Sequence, residues 1–181
     1  MTASAYTDFL KDPDQAARRA ELENFFGPNA GKFLPVYDRL HADAVSAGSG
    51  RPKFRLFHGG FSVPAFLFGP VWFLYRKMWV IAAVVVTGMI AIALIPGTGR
   101  AGLPIGVLLG LLAYRVYVQH AIVALQKMRR ADGTIDPAAL ARVGGVSKTA
   151  GWIGGLLYGA LALLALAAAI ALIMAGEPLP R

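Results

Sequence analysis

The apolar positions change their spacing along the chain, and each change predicts an element. Over residues 1–50 they recur at helical intervals among many polar positions. Asp12-Pro13-Asp14-Gln15 carries the chemistry of a helix start, with Asp12 as the cap, Pro13 at the first helical position and Gln15 reaching back to the cap. The predicted helix runs to about Phe26 and stops at Gly27-Pro28, with Leu22, Phe25 and Phe26 on its apolar side. A second helix is predicted over about Asn29 to Ala47, with Phe33, Tyr37, Leu40 and Ala44 along one stripe and Pro35 either kinking or starting it. Ser46 to Pro52 reads as a linker. About forty residues bury too little apolar surface to stand alone, so this helical pair is expected to rest on the rest of the chain or on a partner.

From residue 61 the polar positions almost vanish. Phe61 to Tyr75 is dense in aromatics but only fifteen residues long, and Pro64 and Gly69-Pro70 interrupt it. At 1.5 Å per residue it reaches about 22 Å, short of a hydrocarbon core of about 30 Å. It therefore predicts an interfacial or re-entrant segment, with Pro70 starting the next helix. Spans are predicted over about 78–95, 101–118 and 151–175, with a turn at Pro96-Gly97-Thr98-Gly99. Between the last two lies a cytosolic stretch, 119–150, where the second span continues into water, Asp132-Gly133 breaks it, and Asp136-Pro137 starts a short helix ending at Gly144-Gly145. Ser147 caps the last span. The expected fold class is an all-α membrane protein: three transmembrane helices, one interfacial aromatic segment and a small N-terminal helical headpiece. The expected division is 1–50 for the headpiece and 51–181 for the membrane domain.

Composition agrees with that pattern. Of 181 residues, 56% are hydrophobic and only 15% charged, well below the quarter typical of soluble domains. The net charge of +8 is unevenly spread: residues 1–50 hold seven acids and five bases, whereas 51–181 hold three acids and thirteen bases. The bases flank apolar runs and form no groove with interleaved aromatics, so the charge reads as membrane topology and no nucleic-acid partner is expected. With the N-terminus inside, Arg51, Lys53, Arg55, Arg76, Lys77, Lys127, Arg129, Arg130, Arg142 and Lys148 fall on the cytosolic side, against Arg100 and Arg181 outside. Cysteine is absent, which removes disulfides, thiolate metal sites and Cys nucleophiles.

The candidate chemistry is sparse. Arg76 and Lys77, with Trp72, Tyr75 and Trp79, suit the headgroup level, where the cations attract anionic lipid and the rings form a belt. Arg115, with Tyr114 and Tyr117, lies about a turn inside the predicted membrane edge, where a charge is a functional candidate. His120 is a weaker candidate for ligation or proton relay, and His58 and His41 are weaker still. Gly151, Gly155 and Gly159 form one small-residue ridge and Gly106 and Gly110 another, which predicts close helix packing within the chain or with a partner. The spans contain no acid, and no P-loop, zinc-protease helix or nucleophile elbow is present. No enzyme activity, metal or cofactor is expected.

The stretch Phe61-Ser62-Val63-Pro64-Ala65-Phe66-Leu67-Phe68-Gly69-Pro70-Val71-Trp72-Phe73-Leu74-Tyr75-Arg76-Lys77-Met78-Trp79 resembles the signature of a family of uncharacterised bacterial inner-membrane proteins, an aromatic-rich Phe-Phe-Gly-Pro-x-Trp-x-x-Tyr-Arg-Lys-Met. Phe25-Phe26-Gly27-Pro28-Asn29-Ala30, Ala113 to His120 and Gly144-Gly145-Val146-Ser147 are similar to three further family segments. The likeness covers about residues 20 to 155; Ser62-Val63 stands where the family usually has Asn-Trp, and Ala113 where it often has Asn. The resemblance implies a multi-pass helical protein of the bacterial cell inner membrane and no known reaction. Together these features lead us to expect a non-catalytic accessory or scaffold subunit, bound to membrane lipid and to other membrane subunits or to itself. The alternative is a small oligomeric transporter, channel or lipid-handling protein.

Overall fold

A computed structural model of the chain describes residues 3–47, 59–95, 97, 101–129 and 134–174. Most of the linker, Arg51, Lys53, Arg55, His58, Arg100, Arg130, Asp132-Gly133 and Arg181 lie outside the described residues. Among the described residues the fold is all-helical, with a single isolated β-bridge between Arg129 and Ile135. The helices are α1 (Ala3–Leu10), α2 (Gln15–Phe26), α3 (Ala30–Ser46), α4 (Val63–Phe68), α5 (Pro70–Tyr75), α6 (Trp79–Ala93), α7 (Gly102–Met128), α8 (Pro137–Val143) and α9 (Lys148–Met174). They form two compact units, one of Met1–Ser62 with Leu111–Val146, the other of Val63–Gly110 with Ser147–Arg181. This is not the division at residue 50. The headpiece helices share a unit with the second part of α7 and with α8, because their apolar stripes pack on rings that α7 carries.

In the first unit, α1 is an element the polar N-terminus did not announce. Phe9 and Leu10 are buried at its end. The cap of α2 is Asp14, two residues later than expected; its carboxylate accepts the Ala17 N–H at 3.0 Å. Gln15 reaches back as predicted, its amide donating to the Asp12 carbonyl at 2.6 Å and the Leu10 carbonyl at 3.2 Å. Its Oε1 accepts from the Tyr37 hydroxyl at 2.6 Å, and His41 Nδ1 donates to Leu10 O at 2.6 Å. These four bonds tie the end of α1 to α2 and α3. Gly27, at φ 59°, ends α2, a left-handed conformation that costs glycine nothing. One 3₁₀ turn, Gly27–Asn29, then leads into α3. Pro35 lies inside α3 and neither starts nor ends it.

Asp136 and Pro137 start α8 as expected, the Asp136 carboxylate accepting the Ala138 N–H at 2.9 Å. The Gly145 N–H then donates to Phe25 O at 2.9 Å. A Cβ added at Gly144 would sit 2.9 Å from Leu140 O and 3.0 Å from Phe25 O, both backbone atoms.

In the second unit the 61–75 run is broken, as its prolines and glycine predicted. α4 and α5 have six residues each, hinged at Gly69 with φ 45°. α5 ends at Tyr75, so Pro70 starts a short helix that does not continue into the next one. α6 has 15 residues, about 22 Å of helix, shorter than the predicted span over 78–95. Among the described residues one helix, α7 with 27 residues, is both long and apolar enough to cross a membrane. The Ser147 hydroxyl caps α9 by accepting the Ala150 N–H at 3.2 Å.

Gly144→Ala forces backbone oxygens apart and is expected to lower unfolding stability by about 1–3 kcal/mol. Gly31→Ala, inside α3 with nothing within 4 Å of the added methyl, is expected to raise it by about 0.5–1 kcal/mol. Thermal unfolding of the two variants in mild detergent checks this, and equal shifts would refute the account of Gly144.

Candidate functional site

The residues singled out by sequence fall into two separate groups. In the second unit, α5 and the turn after it carry Trp72, Tyr75, Arg76 and Lys77, and α6 begins at Trp79. The turn satisfies the backbone groups left over at the end of α5. The Lys77 N–H donates to Leu74 O at 3.0 Å and the Met78 N–H to Phe73 O at 2.9 Å. This reciprocal pattern requires a left-handed residue at its corner, and Lys77 fills that place with φ 60°, where glycine is usual. Phe73 and Met78, the two side chains that such a turn brings together, are both buried.

Arg76 departs from its expected place. It is only 7% exposed, and its guanidinium carbon lies 5.7 Å from the Trp72 ring centroid and 5.6 Å from that of Tyr75. Both distances are within cation–π range. Arg76 is thus enclosed by rings instead of extended at a headgroup surface. Trp72 is buried and Tyr75 half-buried, so of the predicted aromatic belt only Trp79 stands exposed.

The glycine ridges also pack differently. α5 lies against α9 on the face of Gly151, Gly154 and Tyr158. An added Cβ would meet the Tyr75 ring at 2.8 Å from Gly151 and Val71 Cγ1 at 3.0 Å from Gly154. The Tyr158 hydroxyl donates to Leu67 O at 3.1 Å. That face follows i, i+3, i+7, whereas Gly155 and Gly159 at i+4 and i+8 have nothing within 4 Å. The crossing of α5 selected the neighbouring stripe. Gly106 does receive a close neighbour, with Phe66 ring and carbonyl atoms 3.2 Å from an added Cβ, and Gly110 is buried.

In the first unit, Arg115 and Tyr117 are buried in the core and Tyr114 is half-buried beside them. Tyr117 is fully buried, with its ring 4.7 Å from Phe33, 5.3 Å from Phe26 and 6.3 Å from Phe25. Tyr114 meets Phe33 edge-on at 5.3 Å. Arg115 is 6% exposed, and Gly59 runs so close that an added Cβ would lie 3.4 Å from the Arg115 N. Burial pushes the Tyr6 phenol above its ordinary value, while a hydrogen bond with Gln119 and the Arg115 charge pull it back. His120 is half-buried. Tyr37 is buried, and loss of water with the nearby Asp38 and Asp12 charges pushes its phenol up to about 12.

Sequence reasoning missed the ion-pair chain of this unit. Glu21 receives Arg18 at 2.6 Å and Arg129 at 2.7 Å, and Arg18 also reaches Asp12 at 3.2 Å. Arg19 pairs with Asp38. The i, i+3 spacing of Arg18 and Glu21 was a local signal; the partnership of Glu21 with Arg129 had none, because 108 residues separate them.

Residues 38–122 match a family described as Protein of unknown function (DUF2628). The match takes in the 61–79 stretch and Ala113 to His120, and leaves the 25–30 and 144–147 segments outside. It supports the coarse expectation of an uncharacterised domain family. No curated protein and no solved structure matches the chain.

Two predictions follow from these geometries. Gly151→Ala meets the Tyr75 ring and is expected to cost about 1–2 kcal/mol, while Gly155→Ala is expected to change stability by less than about 0.5 kcal/mol. Denaturant titration in detergent distinguishes them. The Tyr37 phenol, raised in the folded state, contributes stability that is fully present below the unfolded value near 10 and is lost as pH rises through about 12. Between pH 10 and 12 the wild type is therefore expected to lose on the order of 2 kcal/mol that Tyr37→Phe does not lose. Parallel melting curves against pH test this.

Proposed function

We propose that the chain is a non-catalytic integral protein of the inner membrane, held in the bilayer by the apolar helices of its second unit and by α7, with the N-terminal helices α1 to α3 on the cytoplasmic side. One observation carries the reading. Among the described residues, every exposed large apolar side chain except Val45 and Phe61 belongs to the second unit. They include Val80, Val84 and Ile90 on α6 and Leu94 just after it, Leu103 and Leu108 on α7, and Trp152, Leu156, Leu161 and Leu164 on α9. So much exposed apolar surface is unfavourable in water and neutral in lipid. The first unit has the opposite arrangement, with most of the buried apolar core, ion pairs at its surface and few exposed apolar groups.

In this reading α6, α7 and α9 cross the bilayer, α6 with local thinning because its 15 residues reach only about 22 Å. α7 and α9 have 27 residues each, about 40 Å of helix and enough for a core of about 30 Å with tilt. The excess of bases on one side holds the N-terminus in the cytoplasm. Lys77 and Trp79 stand at the interface and meet lipid headgroups. Gly155 and Gly159, open on α9, offer a surface of close approach to another membrane subunit, in keeping with an accessory or scaffold role. A transport path has less support, since Arg115, the charge that would have lined it, belongs to the first unit's core.

The chain contains no cysteine, so single-cysteine variants are clean reporters. Val45→Cys is expected to react with a membrane-impermeant maleimide in inverted vesicles and not in intact spheroplasts. Val84→Cys and Leu161→Cys are expected to stay unreactive in both until detergent is added. Rapid labelling of the last two in intact membranes would remove the basis of this reading.

A further inference from the structure

The first unit has an open cleft, a cavity of about 340 Å³ that faces solvent, lined by Asp8, Phe9, Asp12, Gln126 and Arg129. Its lining is divided by charge. The α1 end supplies the carboxylates of Asp8 and Asp12; the α7 end supplies the Gln126 amide and the Arg129 guanidinium. Phe9, only 3% exposed, adds apolar surface.

The polar groups are anchored. Arg129 Nη2 donates to Glu21 Oε2 at 2.7 Å, and Asp12 receives Arg18 at 3.2 Å and the Asp14 N–H at 2.9 Å. Arg129 spends only Nη2 on Glu21 in that ion pair, and its side chain stays 23% exposed at the lining. Arg129 and Asp12 are therefore held in place before any ligand arrives, which reduces the ordering cost of binding.

We propose that this cavity binds a small zwitterion, a primary ammonium and an acid anion on one short skeleton. A simple anion entering it meets Asp8 and Asp12, and a simple cation meets Arg129; only a dipolar ion complements both ends. An ammonium brings three donors and no acceptor, which suits two carboxylates. A carboxylate or phosphate brings acceptors that suit the planar guanidinium and the amide NH₂. The volume is at the small end of ligand cavities and accommodates a free amino acid or a phosphoethanolamine group. The inference rests on the first unit alone and stands whether or not the second unit lies in lipid.

The test is calorimetric titration of the full chain in phosphatidylcholine nanodiscs with L-alanine and O-phosphoethanolamine. Ethanolamine and inorganic phosphate are the single-charge controls. At least one zwitterion is expected to bind roughly tenfold or more tightly than either control. Asp8→Asn, an exposed position, is expected to weaken binding about tenfold, and Arg129→Lys, which keeps the charge and loses the fork, to weaken it as well. Competition by nanodiscs that contain phosphatidylethanolamine identifies a lipid headgroup as the source, and undiminished binding in them identifies a free zwitterion. No zwitterion binding at about 10 mM, equal binding of a single-charge control, or binding unchanged by both substitutions overturns the proposal.

Discussion

The first unit depends on one packing contact, the insertion of Tyr117 among Phe25, Phe26 and Phe33. Its ring centroid is 4.7 Å from Phe33 and 5.3 Å from Phe26, distances at which aromatic pairs gain beyond simple burial. These rings come from α2, α3 and α7, and Tyr117 lies more than eighty positions along the chain from the three phenylalanines. Remove that contact and α1 to α3 return to about forty residues with too little core to fold. The ion pair of Glu21 with Arg129 and the bond from Gly145 to Phe25 join the same partners at the periphery. They orient a contact whose free energy comes chiefly from the rings.

The second unit is organised on different terms. Among the described residues its buried side chains are few: Ala65, Trp72, Phe73, Met78 and Ala82, with the enclosed Arg76. α5, although only six residues long, is the element the others use, packing against α4, α6 and α9. A helix so short gains little from its own hydrogen bonds. It is held by the left-handed turn at Lys77, by the Ser147 N–H on Tyr75 O at 2.8 Å, and by glycines on α9 that admit Tyr75 and Val71.

Much of this was legible where the signal is local. Gly27 as a stop, Asp136-Pro137 as a start, Ser147 as a cap and the break at Gly69-Pro70 were each read from two or three neighbouring residues, because capping and proline effects act over one turn. What failed was non-local. Arg115 looked like a charge near a membrane edge because the residues before it are apolar; the aromatic residues that enclose that part of α7 lie far away in sequence. Arg76 looked like a surface cation for the same reason. The Gly151, Gly155 and Gly159 ridge is a real periodicity, yet the choice between it and Gly151, Gly154 and Tyr158 depends on the crossing of α5, which no periodicity encodes. The carboxylates and guanidinium around the cavity were individually unremarkable in sequence and acquire meaning only when the two ends of the first unit meet.

That the first unit is assembled from residues 1–62 and 111–146 has a consequence for biosynthesis. Phe25 leaves the ribosome about 120 residues before Gly144, whose neighbour Gly145 bonds to its carbonyl. At roughly 5–20 residues per second, the apolar faces of α2 and α3 wait on the order of ten seconds for their partners. During that interval the intervening apolar segments emerge and must find their own environment. The nascent chain thus exposes two kinds of apolar surface at once, one awaiting its own C-terminal portion and the other awaiting a solvent. This is the interval in which a chaperone or insertion machinery has the most to protect.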